Sequence, residues 1–153
     1  METIEIKFNG TDITDKIMVI NQLRVKELKD KDGNTEFDNY AITSDEYDYI
    51  KDFLAAGAAE MGEMVAPLTS GITDAVSLVD PFGVTIVDNG NNNKNNTTVL
   101  TKQFEEFMIA TVLYKWYEMK GLFDDFKLWS SKAQAHKLNI MHLAMFTNSI
   151  RST

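Results

Sequence analysis

Residues 101–120 read TKQFEEFMIATVLYKWYEMK, and the packing of this stretch decides the fold. At ~100° per residue on a helical wheel, Thr111, Lys115 and Glu118 fall on one narrow line. Phe104, Phe107, Met108, Ile109, Ala110, Val112, Leu113, Tyr114, Trp116, Tyr117 and Met119 cover the remaining circumference. A helix apolar nearly all round belongs in a core or a subunit contact. It is too short, and too interrupted by charge, to span a membrane. The expectation is a helix sheltered on both flanks and wet along the Thr111, Lys115, Glu118 edge.

Past its C-terminal end, Gly121 suits a left-handed C′ position and Asp124 an N-cap, which makes KGLFDD the corner of a helical hairpin. Phe126, Trp129, Ala133, His136, Ile140, Leu143 and Thr147 then recur three and four apart, a seam for packing on the central helix. From Leu138 to Phe146 apolar residues point in nearly every direction, more than one seam needs. Leu138, Met141, Met145 and Phe146 are therefore candidate interface residues.

Upstream of the central helix, DNGNNNKNNTT at 88–98 has no side chain for a core and reads as a flexible Asn-rich loop, with Asn92 and Asn93 as candidate contacts to a neighbour. Val76 and Leu78 with Val84 and Ile86 flank Asp80-Pro81-Phe82-Gly83, a hairpin pattern. Thr43 and Glu46 have capping-box spacing, and Tyr47, Ile50, Leu54, Ala58, Met61 and Val65 follow at helical intervals up to Pro67. Gly57 and Gly62 mark either a weak helix or a face where another backbone comes close. Between KIMVINQLRVKELK and TEFDNYAIT, the Asp32-Gly33 turn signal makes a hairpin the first reading, with a helix over 18–29 the alternative. Ile4, Ile6 and Phe8 alternate with Thr3, Glu5 and Lys7 as in a half-buried strand. The expected fold is α+β: three main helices at about 44–66, 101–120 and 124–149, an N-terminal strand and two β-hairpins, forming a single domain over 1–153.

No catalytic or cofactor pattern stands out. The chain has no cysteine, which removes thiolate ligands, disulfides and cysteine nucleophiles together. METIEIKFNG has no continuous apolar run, so neither a signal peptide nor an anchor is expected. His136 and His142 are six apart, ~240° round a helix, and cannot share a metal as an i, i+4 pair does. A packed, hydrogen-bonded role suits His136 better. Asp30, Asp32, Asn34 and Glu36 alternate as at the start of a calcium loop, but Gly33 sits fourth and Ala41 twelfth, so the pattern fails. P-loop, dinucleotide and nucleophile-elbow signatures are missing from the sequence. No catalytic residue, cofactor or metal ligand is therefore assigned.

The net charge of −8 disfavours nucleic acid. Residues 1–66 hold 7 basic and 15 acidic side chains, whereas 101–153 hold 7 basic and 5 acidic. That asymmetry suits a head-to-tail contact between copies; the plain alternative is a solvated acidic surface.

The run ATVLYKWYEMKGLFDDFKLWSSKAQAHKLNIMHLAM, an aromatic-rich helix, a Gly break, an acidic restart and a long helix with small residues, resembles the closing helical pair of tailed-phage head–tail connector (adaptor) proteins. The likeness extends in layout over about 43–150 and is carried most closely by Leu113 through Ala135; the N-terminal strand and first hairpin are more β structure than that family suggests, which also admits a neck or tail-completion protein. The resemblance implies a non-enzymatic, ring-forming homo-oligomer in the virion, assembled in the host cytoplasm, with portal and tail or neck proteins as partners and no membrane. A second reading is a small cytosolic acidic protein-binding module or inhibitor.

Overall fold

A computed structural model describes residues 2–8, 10–34, 36–64, 76–77, 82–88 and 94–152, with side-chain surroundings for 12–34, 36–64 and 98–143. In chain order the elements are β1 (Glu2–Phe8), α1 (Gly10–Val25), the short α2 (Phe37–Tyr40), a 3-10 turn (Ser44–Glu46), α3 (Tyr47–Met64), β2 (Val76–Ser77), β3 (Phe82–Asp88), α4 (Lys94–Lys120) and α5 (Phe123–Ser152). Among the described residues, four long helices form the body. α4 is its axis, packed by α3, α1 and α5, which is why it is apolar nearly all round: Phe104, Phe107, Met108, Ala110, Val112, Leu113, Trp116 and Tyr117 are all buried.

The α+β expectation is corrected by this helical core. Where burial is described, every core residue lies on α1, α3, α4, α5 or the Ala41–Ile42 connection. The three extended segments form one sheet in the order β1-β3-β2 with both pairs antiparallel. The first expected hairpin does not form, because its first strand is the helix α1. Ile13, Ile17, Asn21 and Val25, four apart, line the buried face of α1 and place Val19 and Leu23 outside, 57% and 61% exposed. The Asp32-Gly33 turn is present but closes a loop between α1 and α2. Gly33 adopts φ +81°, and the Asp30 carboxylate accepts the backbone N–H of Asp32 and of Asn34, both at 2.9 Å. Helical structure also takes in part of the expected 88–98 loop: α4 begins at Lys94, and Asp88 closes β3, while 89–93 lie outside the described residues.

Local signals fix the helix ends. Thr43 caps the turn into α3, its hydroxyl accepting from Asp45 N while its own N–H donates to Glu46 Oε2 at 3.0 Å. α4 ends in a Schellman motif: Gly121, at φ +75°, donates to Glu118 O, and Leu122 N–H donates to Tyr117 O at 2.9 Å. The chain reverses there, and α5 runs back along α4 through Phe126, Trp129, Ala133, Ile140 and Leu143. His136 Nδ1 lies 2.7 Å from Gln103 Oε1 across this seam.

The Thr111, Lys115, Glu118 edge is wet only at its lower end. Glu118 is exposed and Lys115 half-buried, but Thr111 is fully buried and its hydroxyl has no partner. Gly57 is the cause. Having no side chain, it lets α3 approach α4 so closely that a Cβ there would sit 2.7 Å from Met108 Sδ and 3.6 Å from Thr111 Cγ2.

Candidate functional site

Three groups of side chains stand out, one internal and two on the surface. The internal group ties the connection after α2 to the bundle. Asn21, fully buried on α1, accepts the Ile42 N–H at 2.6 Å and donates to Tyr40 O at 3.3 Å and Tyr117 Oη at 3.5 Å. Trp116 Nε1 donates to the same Tyr40 carbonyl at 2.9 Å, and Gln22 Nε2 donates to Ile42 O at 2.9 Å. Nearby, Arg24 clasps the nearly buried Asp125 with Nε–Oδ1 at 2.7 Å and Nη2–Oδ2 at 3.4 Å, linking the end of α1 to the start of α5. That carboxylate raises the Arg24 pKa, chiefly by hydrogen bonding. Burial raises the Tyr117 phenol above its ordinary value, outweighing the lowering effect of the Asn21 N–H. These groups satisfy one another, so their chemistry is structural.

The second group is the outer face of α5. Phe123, Leu128, Leu138 and Met141 remain exposed, at 65%, 50%, 55% and 37%. On the wheel Leu138 lies ~140° from Ala133 and ~160° from Ile140, both buried apolar positions of the helix. After Asp125 the chain carries Lys127, Lys132, Lys137 and Arg151 and no acidic residue. Lys132 Nζ stands 4.2 Å above the Trp129 ring, held beside the seam. Of the residues expected at an interface, Leu138 and Met141 therefore share this open face. Met145 and Phe146 continue α5, their side chains outside the description, and Asn92 and Asn93 lie outside the described residues.

The third group was not legible in the sequence. Asp15, Lys16, Val19 and Ile20 on α1 face Glu105, Glu106 and Ile109 on α4 across a groove of 430 Å³. It continues into a hollow of 490 Å³ bordered by Lys16, Thr98, Thr101, Lys102, Glu105 and Glu106. Val19, Ile20 and Ile109 give the groove an apolar floor, and carboxylates stand on both walls. Lys16 bridges the walls through an ion pair with Glu105. Its pKa is raised, first by that hydrogen bond and then by the charges of Glu105, Glu106 and Asp12, so all three carboxylates act on one spot. The partners are some 90 positions apart in the sequence, and Val19 sits in the segment read as a strand. The signal that finds the groove is the four-residue spacing of Ile13, Ile17, Asn21 and Val25, with Asn21 counted as buried.

Among the described residues, no three His, Asp or Glu side chains gather as a metal-ligand set, and no helix is long and apolar enough to cross a membrane. No family model, curated protein or solved structure matches this chain.

Proposed function

We propose that this chain is a non-enzymatic structural protein that acts through protein contacts, as a head–tail connector or neck component of a tailed-phage virion. The observation that carries the reading is the outer face of α5. Leu128, Leu138 and Met141 are half-open to solvent on a helix of 30 residues, beside three lysines and no acid after Asp125. Round the helix Leu138 lies ~80° from Leu128 and ~60° from Met141, and exposed apolar side chains across one broad side of a helix suit a protein contact better than solvent. The hairpin of α4 and α5 also carries the aromatic helix, Gly break and acidic restart on which the connector resemblance rests. On this reading the chain assembles in the host cytoplasm, with portal and tail or neck proteins as neighbours.

Sedimentation velocity on the chain alone and mixed with a portal protein tests it. A discrete multimer, or a defined complex with the portal ring, is the expected result; a monomer in both samples rejects the proposal. The acidic groove between α1 and α4 favours one other reading, a small acidic binding module or inhibitor. A salt-sensitive one-to-one complex with a basic protein, without self-assembly, is its signature.

A further inference from the structure

We infer that the outer face of α5 in one copy docks in the α1/α4 groove of the next, giving a head-to-tail contact; this deepens the structural reading above and rests on it. The two faces are complementary in charge. Asp15 on one wall and Glu105 and Glu106 on the other flank an apolar floor of Val19, Ile20 and Ile109, and with Lys16 paired to Glu105 the groove keeps an excess of two negative charges. The α5 face offers Leu128 and Leu138, with Lys127 beside them and Lys132 at one shoulder. An apolar helix face entering a groove, with charges at the rim setting register, is a recurrent recognition mode.

The faces cannot satisfy each other within one molecule. α5 approaches α4 through Gln103 and the seam around Ala133 and Ile140, whereas Glu105, Glu106 and Ile109 turn toward α1. Each copy thus keeps one donor face and one acceptor groove. A contact between unlike faces propagates, closing to a ring when the rotation permits and running on as a filament when it does not.

The test uses the full chain and two variants, Leu138→Asp on the α5 face and Asp15→Lys/Val19→Lys in the groove. All three positions are solvent-exposed, and thermal unfolding checks that each variant folds. Sedimentation velocity at low salt is expected to show the wild type self-associating and each variant weakened by more than about tenfold, the loss of one anchor. An equimolar mixture of the variants is expected to give a dimer and nothing larger, because each retains one working face. Wild-type association that persists in either variant, or a mixture that forms no dimer, overturns this contact while leaving the proposed function standing. A wild type that stays monomeric alone also overturns it, and one that stays monomeric with the portal protein as well overturns both.

Discussion

Trp116 donates its indole N–H to the carbonyl of Tyr40 at 2.9 Å, so the largest buried aromatic of α4 holds a loop 76 positions earlier in the chain. The same carbonyl accepts from Asn21 at 3.3 Å, which makes it the point where α1, α4 and the connection to α3 are joined. Trp116→Ala removes both the ring and the donor. A cost of about 3–5 kcal/mol is expected from truncating a buried aromatic, read as a lowered midpoint in urea unfolding. Trp116→Phe keeps most of the volume and loses the hydrogen bond, for a cost of about 1–3 kcal/mol.

Asn21→Leu is expected to destabilise in spite of its greater hydrophobicity, because it strands the Ile42 N–H that Asn21 Oδ1 accepts at 2.6 Å. An unpaired buried N–H costs about 1–3 kcal/mol. Hydrogen exchange at Ile42 should accelerate more than exchange in the middle of α4; equal acceleration in both places would show only a global loss.

Thr111→Val should act in the other direction. Thr111 is fully buried and its Oγ1 has no partner, so removing the hydroxyl relieves a desolvation cost of about 1 kcal/mol or more. A higher midpoint at unchanged denaturant slope is the expected observation.

Gly57→Ala sets two effects against each other. Alanine favours the helix by about 1 kcal/mol, but its Cβ would lie 2.7 Å from the buried Met108 Sδ, and overpacking of this kind costs about 1–3 kcal/mol. Net destabilisation is expected. Adding Met108→Val, which lacks the clashing sulfur, should leave the double variant more stable than the sum of the single effects.

Alkaline pH is expected to weaken the fold through Tyr117. Burial raises its phenol pKa in the folded chain above the ordinary value near 10, so the neutral form is favoured there. Its contribution is complete below the unfolded pKa and declines as pH climbs from that value toward the folded one. Stability measured from pH 9 to 11 should fall less steeply in Tyr117→Phe than in the wild type.

Much of the local structure was readable from neighbouring residues. Thr43 and Glu46 announce a cap, Gly121 a helix end, and the stretch 101–120 a helix enclosed on all but one edge, because each signal involves groups within a turn or two. α1 was readable only as the alternative to a hairpin, a helix over 18–29 where the structure has Gly10–Val25. One of its four inward positions is Asn21, and two of its strongly apolar residues, Val19 and Leu23, point outward. That inverts the pattern by which a helix is recognised, and the Asp32-Gly33 turn then suggested strands. The candidate surfaces divide likewise. The surplus of apolar residues in α5 showed in the sequence at Leu138 and Met141, but the groove pairing Asp15 and Val19 with Glu105 and Glu106 did not.

The sequence by itself determined that 101–120 must be enclosed on most sides, since eleven apolar side chains leave that helix only one narrow wet edge. Only the tertiary structure decided what encloses it. Asn21 is tolerated in the core because Ile42 and Tyr40 supply its hydrogen bonds, and Thr111 is covered because Gly57 lets α3 come near. Both depend on groups distant in the chain, whose meeting no local pattern encodes.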